Sequence, residues 1–297
     1  MFSGLSAFPL TPVVDEHLGE SAFAELISSL AAAGVDSITA LGSTGSAAYL
    51  TVGQRHRAAE IAVDSAGTTP VLIGVSAVAT REVLGHVSAA EDAGAAGVLL
   101  APLSYQPLTD EEVFGLFDRV SQETELPIVV YDNPTTTGFV FTDELLARIA
   151  ALPRVASIKM PGVPVGTQAA RDRVTELRRL IPDTVTLGVS GDWMAVRGLR
   201  AGCDAWHSVL AGVLPGACLA VIRAAQDGDE ATAQDRFDAL APIWSLFQRL
   251  GSYRTVSAIA DELGLIRPES LHHPVRPLAG ADRAAVISAL AAVEGRG

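Results

Sequence analysis

The chain alternates between short apolar runs and longer segments in which apolar residues recur at helical spacing. Within the short runs, apolar and polar residues do not alternate, which is typical of parallel strands buried on both faces of a sheet. The pattern therefore predicts buried parallel strands over residues 5–10, 35–41, 71–75, 97–101, 128–131, 155–160, 185–189 and 204–210.

The segments between these runs carry the signals of amphipathic helices. Thr51 with Gln54 and Thr109 with Glu112 have the spacing of capping boxes, in which two helix-start N–H groups are satisfied reciprocally. The first helical stripe follows the i, i+3, i+4, i+7 spacing and consists of Phe23, Leu26, Ile27 and Leu30.

Glycines and prolines recur at the boundaries between the predicted helices and strands. Ala-Gly pairs end three predicted helices, at Gly34, Gly94 and Gly202, and a proline precedes four predicted strands, at Pro70, Pro127, Pro153 and Pro182. Eight strand–helix units predict an α/β fold, a (β/α)₈ TIM barrel over residues 1–214 with a C-terminal helical extension over residues 215–297. A doubly wound open sheet is the alternative, but no Gly-x-Gly-x-x-Gly follows the first strand.

The extension is expected to contain three helices, at about residues 215–226, 230–250 and 253–263. His272 and His273 lie near Pro274 and Pro277, which favours loop positions over metal ligation.

Composition excludes several classes of function. The net charge of −13 argues against binding nucleic acid or an anionic membrane, because both need a basic face. Cys203 and Cys218 form no disulfide framework or metal cluster, as expected for reduced core residues. We see neither a secretion signal nor an apolar stretch long enough to span a bilayer, and therefore expect a cytoplasmic protein.

Lys159 is the only lysine, so the other cationic side chains of the 21 lysines and arginines are arginine. A guanidinium does not deprotonate in proteins and cannot attack a carbonyl, whereas a desolvated lysine amine can form a Schiff base. Lys159 lies in an apolar run that ends at Pro161. The structural alternative is a lysine that extends to solvent from the end of a strand.

Active sites of such barrels lie at the carboxyl ends of the strands. The residues at those ends are the Gly42–Gly45 turn, Tyr131, Lys159, the Ser190–Trp193 segment and the Trp206–Ser208 segment. An amine, a phenol and a turn that can hold an anion are the components of Schiff-base chemistry on a 2-oxo acid. Each also has a structural interpretation, for example a core tyrosine or a tight turn.

In its order of motifs the chain resembles the dihydrodipicolinate synthase and N-acetylneuraminate lyase family of class I aldolases. The shared motifs are Phe2-Ser3-Gly4, the Gly-Ser-Thr-Gly turn, Tyr131-Asp132-Asn133-Pro134, Ile158-Lys159 and Ser190-Gly191-Asp192. The resemblance implies a lyase, without a cofactor or a metal, that acts on pyruvate or a longer 2-oxo acid. It also implies a homotetramer built from dimers, or a homodimer.

The same resemblance implies the roles of individual residues. Lys159 would form the imine and Tyr131 would shuttle protons, while Thr44 would hydrogen-bond Tyr131 and join Ser43 in holding the carboxylate. The residues expected to bind substrate are Ser43, Thr44, Gly45, Thr136, Trp206, His207 and Ser208. Leu103, Ser104 and Trp193 are further candidates for specificity.

Three positions depart from the family's pattern: Ser46 replaces a glutamate, Ser104 replaces a tyrosine that the synthases supply from a neighbouring subunit, and Thr136 replaces an arginine that binds a second carboxylate. Loss of the arginine's bidentate fork favours an aldolase or dehydratase over the alternative, 4-hydroxy-tetrahydrodipicolinate synthase. A non-catalytic 2-oxo acid sensor is the alternative of another class. Such a sensor would need neither the lysine nor the tyrosine.

Overall fold

The structure of the protein is a computed structural model that describes residues 2–268 and 270–294. Its barrel strands are β1 (Gly4–Ala7), β2 (Ser37–Ala40), β3 (Val71–Gly74), β4 (Gly97–Leu100), β5 (Ile128–Tyr131), β6 (Val155–Met160), β7 (Thr186–Val189) and β8 (Ala205–Ser208). All eight pair in parallel and close in the order β1-β8-β7-β6-β5-β4-β3-β2. The predicted (β/α)₈ barrel is therefore confirmed. Several strands are shorter than their apolar runs, because buried residues such as Phe8 and Leu10 continue past the strand ends.

Helices alternate with the strands as predicted. They are α1 (Glu20–Ala33), α2 (Val52–Ser65), α3 (Thr80–Asp92), α4 (Asp110–Glu123), α5 (Pro134–Thr137), α6 (Asp143–Ala150), α7 (Thr167–Leu180) and α8 (Ala195–Ala201). Both capping boxes are formed, at Thr51 with Gln54 and at Thr109 with Glu112. A small hairpin, Val13–Val14 with His17–Leu18, lies between β1 and α1.

The C-terminal extension contains more helices than the predicted three. They are α9 (Pro215–Gln226), α10 (Glu230–Ala239), α11 (Ala241–Leu250), α12 (Ser252–Glu262) and α13 (Gly280–Glu294). The predicted helix over residues 230–250 is divided at Leu240, because Pro242 lacks an N–H group and its ring excludes the carbonyl four residues earlier. The helix α13 was not predicted.

The helix α9 packs against β1 between α1 and α8, as an eighth barrel helix would. Its Arg223 donates to both carboxylate oxygens of Asp36, at 2.8 and 3.0 Å, and Asp36 also accepts from the Leu5 backbone N–H. The division of the chain at residue 214 stays a prediction.

Alternation along the strands separates two sets of side chains, since neighbouring residues of a strand point to opposite faces. The larger hydrophobic cluster packs the strands against the helices. A smaller one fills the barrel interior with Phe8, Leu72, Leu99, Val129 and Tyr131. Within residues 2–268 and 270–294, no helix has both the length and the apolar character needed to cross a membrane.

Candidate active site

Lys159 points into the barrel from β6 and is buried, with 5 % of its surface exposed. Its neighbours in the sheet are Tyr131 on β5 and Gly188 on β7. The amine nitrogen Nζ lies 4.2 Å from the centroid of the Tyr131 ring and 5.1 Å from that of Phe8, and it donates a hydrogen bond to Ser190 Oγ. The single lysine is thus held between two aromatic rings at the carboxyl end of the barrel.

Burial makes the neutral form of this amine accessible near neutral pH. Desolvation lowers the pKa of Lys159 from 10.5 to about 7, although the carboxylates of Asp192 and Asp132 act in the opposite direction. Burial also raises the pKa of Asp192 to about 6, against a hydrogen bond from Ser208. The environment therefore favours uncharged groups around the lysine.

The Tyr131 hydroxyl lies in a hydrogen-bonded group at the mouth of the barrel. It is 3.1 Å from Ser43 Oγ and accepts a hydrogen bond of 2.8 Å from Asn133 Nδ2. Burial raises the pKa of Tyr131, and the hydrogen bonds from Ser43 and Asn133 oppose that rise. A phenol in this position remains protonated at neutral pH and can act as an acid.

The partner of Tyr131 differs from the expectation. Ser43 rather than Thr44 lies within hydrogen-bonding distance of the Tyr131 hydroxyl. Thr44 is buried, with 3 % exposure, and lines the cavity next to Ser43.

A cavity of about 380 Å³ opens beside Tyr131. The predicted residues Ser43, Thr44, Leu103 and Thr136 contribute to its wall. The other lining residues come from the turn after β2, from the ends of β3, β4 and β5, and from the start of α12: Leu41, Gly42, Ala47, Ala48, Tyr49, Gly74, Ser76, Leu99, Ala101, Tyr131, Asn133, Thr137, Gly251, Ser252 and Tyr253. Lys159 lies behind the Tyr131 ring rather than in this wall.

Gly45 does not line the cavity, contrary to expectation. A Cβ atom at this position would lie 2.8 Å from the Leu41 nitrogen and 2.9 Å from its Cα. Leu41 itself has a positive φ of 58°. Glycine is therefore required here by the close approach of two backbone segments, which gives the turn its shape.

The three candidates on β8 point in two directions. His207 faces the barrel interior, where its ring meets Phe8 edge-on with centroids 5.6 Å apart. Its neighbours Trp206 and Ser208 face outward, so the expectation that they bind substrate is wrong. Trp206 is fully buried in the larger hydrophobic cluster, and the Ser208 hydroxyl donates to Asp192 Oδ1 at 2.5 Å.

His207 fits beside the lysine because Gly188 has no side chain. A Cβ atom on Gly188 would lie 2.2 Å from His207 Nε2. Both ring nitrogens of His207 lack a hydrogen-bond partner among the described residues, and burial lowers the pKa of its imidazole well below the ordinary value. The histidine is therefore neutral in this position.

Two contributions to the site were missed from the sequence. Asn133 belongs to a quoted motif, but it had no assigned role. Tyr253 on α12 lines the cavity and lies 2.6 Å from the Ser46 hydroxyl, across a separation of 207 residues. No local pattern could have predicted so distant a pair. Trp193 and Ser104 are not in the cavity wall; the Ser104 hydroxyl donates to the Gln106 carbonyl.

Comparison with known protein families shows to which family the chain is related. The sequence model of the Dihydrodipicolinate synthetase family matches residues 1–293. The chain belongs to this family. The resemblance inferred from the motifs is thereby confirmed, and with it the expectation of a lyase that forms a Schiff base.

Individual relatives of the family match over nearly their full length. The 4-hydroxy-tetrahydrodipicolinate synthase of Phenylobacterium zucineum is 31% identical over 293 residues, which cover 98% of this chain and 97% of the relative. An uncharacterized DapA-like lyase of Halobacterium salinarum is 30% identical over 282 residues, which cover 93% of this chain and 89% of the relative.

Solved structures of the family agree with the fold. The crystal structure of dihydrodipicolinate synthase from Agrobacterium tumefaciens has a TM-score of 0.95 and 41% identity, and 98% of each chain is covered. The crystal structure of a putative dihydrodipicolinate synthetase from Pseudomonas aeruginosa has a TM-score of 0.91 and 26% identity, and 99% of this chain and 100% of that chain are covered.

Proposed function

We propose that the enzyme acts on pyruvate or a longer 2-oxo acid and that Lys159 is the residue that forms the imine. The observation that carries this proposal is the buried amine, whose pKa falls to about 7, beside the face of Tyr131. A buried lysine whose pKa lies near neutrality is suited to act as a nucleophile rather than as a surface charge.

The first stage is formation of the imine. The Ser43 and Thr44 hydroxyls hold the substrate carboxylate, and the neutral Lys159 amine attacks the C2 carbonyl carbon. The Tyr131 hydroxyl delivers a proton to the carbonyl oxygen, and the resulting phenolate takes one from the attacking nitrogen, which gives a carbinolamine and restores the hydroxyl. A second proton from Tyr131 then lets that oxygen leave as water while the C–N double bond forms.

The protonated imine then withdraws electrons from C3. Loss of a C3 proton gives an enamine, which can add to an aldehyde or expel a hydroxyl group from the next carbon. Cleavage of the C3–C4 bond of a longer substrate delivers the same electron pair to the imine. Tyr131 supplies or accepts the proton that each path requires, and hydrolysis of the imine returns Lys159 to its free form.

The alternative reaction is that of 4-hydroxy-tetrahydrodipicolinate synthase, the name carried by the Phenylobacterium zucineum relative. We favour an aldolase or dehydratase because Thr136 stands where the synthases have an arginine, and its hydroxyl accepts a hydrogen bond from Asn133 instead of offering a cation. Turnover of pyruvate with aspartate semialdehyde, at a rate adequate for biosynthesis, would overturn this preference.

Reduction with borohydride in the presence of pyruvate is expected to add a stable mass to Lys159. Intact mass followed by peptide mapping measures it, and a sample without pyruvate is the control. An adduct only with longer 2-oxo acids would favour a dehydratase or specialised aldolase. If no 2-oxo acid labels the lysine, the proposed chemistry is wrong and a non-catalytic sensor takes its place.

The rate is expected to rise with pH through neutrality. The attacking form of Lys159 is the neutral amine, so below its pKa of about 7 kcat/KM should rise about tenfold per pH unit and then level off. A profile of kcat/KM against pH, measured at substrate concentrations well below KM, determines this limb. An acid limb close to pH 10 would show that Lys159 behaves as an ordinary lysine.

We also propose that the enzyme works as a homodimer or homotetramer in the cytoplasm. Tyr105 and Val165 expose 88% and 87% of their surfaces, and Val140 exposes 69%, which is apolar area that a second copy could cover. Light scattering of the purified protein measures the assembly, and a mass of one chain at micromolar concentration would contradict it.

A further inference from the structure

The side chain of Asn133 connects the proposed acid–base tyrosine to the wall of the cavity. Its Nδ2 donates to Tyr131 Oη at 2.8 Å and to Thr136 Oγ1 at 2.8 Å. An amide nitrogen carries two hydrogens, so both are used. The amide is therefore fixed at two points, and one of them is the Tyr131 oxygen.

The backbone around Asn133 leaves this side chain free for Tyr131. Asn133 is the N-cap of the short helix α5, where an asparagine normally accepts from a helix N–H with its own side chain. Here no such side-chain cap is made, and only the backbone carbonyl of Asn133 accepts from Thr136 and Thr137, at 3.1 and 3.0 Å. The side chain turns toward the cavity instead, which it lines.

A donor at the Tyr131 oxygen fixes the direction of the hydroxyl proton. Because the oxygen accepts from Asn133, its own hydrogen points away from the amide, toward Ser43 or a substrate atom. The same donor stabilises the phenolate that forms each time Tyr131 gives up its proton, and it opposes the effect of burial. Tyr131 then releases its proton more readily than a buried phenol without a donor.

We propose that Asn133 is a positioning residue for Tyr131: its amide orients the hydroxyl for proton transfer to the carbinolamine oxygen, and Thr136 holds the amide in place. This inference rests on the proposed function, since it assumes that Tyr131 is the acid–base group. All four side chains, Ser43, Tyr131, Asn133 and Thr136, come from one chain. The second hydrogen bond to the tyrosine therefore needs no residue from another copy.

The decisive variant is Asn133→Asp, which keeps the size of the side chain but replaces the donor with an acceptor. Aspartate is as favourable as asparagine at a helix N-cap, so the start of α5 should be retained. We expect the rate of borohydride trapping with pyruvate to fall about 10- to 100-fold, because a hydrogen bond to a charged transition state is lost. At alkaline pH the rate should fall once Tyr131 loses the proton that it donates, and in Asn133→Asp this alkaline limb should move to higher pH, since an acceptor no longer stabilises the phenolate.

Two further variants separate positioning from folding. Thr136→Val removes the hydroxyl that holds the amide, and the rate should fall in the same direction but by less. Thr135→Val changes an exposed hydroxyl in the same turn that makes no hydrogen bond among the described residues, and the rate should match the wild type. Thermal unfolding of each variant checks that the fold is retained.

The outcomes distinguish this inference from the proposed function. If the wild-type enzyme forms no adduct on Lys159, the proposed function fails first. If the wild type forms the adduct and Asn133→Asp forms it at the same rate, with an unchanged alkaline limb, then Asn133 has only a structural role and this inference alone is wrong.

Discussion

Replacing Lys159 with methionine is expected to abolish turnover and at the same time to make the protein more stable. Without an amine no imine can form, so kcat/KM should fall by at least about 10⁴-fold, and the borohydride adduct should disappear. Arginine would not rescue the activity, because its guanidinium stays protonated. Steady-state assays and mass spectrometry with the best 2-oxo acid measure both effects.

The gain in stability follows from the lowered pKa. The unfolded chain holds the lysine proton up to pH 10.5 but the folded chain only up to about 7, so burial of this amine costs stability at and below pH 7. The free energy of unfolding of Lys159→Met should exceed that of the wild type by up to about 4 kcal/mol at pH 7. The difference should shrink as the pH rises toward 10.5, where the amine is neutral in both states.

Ser157→Ala is the matched control for the lysine variant. Ser157 points inward from the same strand two residues earlier, is fully buried, and donates to the Thr186 carbonyl at 3.3 Å. Its replacement should leave turnover intact. Substantial activity in Lys159→Met, or equal stability of the variant and the wild type across the pH range, would contradict the role assigned to this amine.

Tyr131→Phe should keep the fold and lose most of the rate. The ring that lies against Lys159 is retained, but the hydroxyl that hydrogen-bonds Ser43 and Asn133 is removed. General acid–base catalysis by a positioned side chain is typically worth about 10²- to 10⁴-fold, so kcat should fall by that factor while KM changes little. Rapid-quench measurement of imine formation locates the affected step.

A second tyrosine provides the comparison. Tyr105 is 88% exposed, and its hydroxyl makes no hydrogen bond among the described residues, so Tyr105→Phe should leave kcat unchanged. Tyr131→Phe with full kcat would remove the acid–base role. Loss of kcat in Tyr105→Phe would show instead that this side chain reaches the active site of a second copy.

The architecture could be predicted because its signals are local. Each of these signals depends on only a few neighbouring residues: glycines end helices, prolines precede strands, and capping boxes begin helices. Together they give the sequence of strands and helices along the chain. The lysine was identified by composition, since a chain that otherwise uses arginine retains one amine. Its proximity to Tyr131 followed from the barrel, in which all strand ends meet at one mouth.

Other features were predictable but were missed. Side chains alternate across a strand, so His207 cannot share a face with Trp206 or Ser208. If His207 is placed in the barrel interior, Trp206 and Ser208 must face outward and are excluded from the substrate site. Pro242 likewise marked a break inside the predicted helix over residues 230–250.

The remaining features depend on tertiary structure. Which hydroxyl of the Gly42–Gly45 turn reaches Tyr131 is decided by the positive φ of Leu41 and by the close packing of Gly45. The contact between Ser46 and Tyr253 joins distant parts of the chain. The helix α13 is rich in alanine, so its apolar stripe is hard to distinguish in the sequence.

Closure of the barrel determines how much of the chain must be synthesised before the enzyme can become active. The first strand, β1, pairs with both β2 and β8, so its second edge stays open until Ser208 has been synthesised. Until then the nascent chain is an open sheet with two unpaired edges, the kind of surface that recruits other strands. Tyr253 of the cavity wall follows later still. We therefore expect the chain to be inactive during most of its synthesis, and to gain activity only after β1 has paired with β8 and Tyr253 has joined the cavity wall.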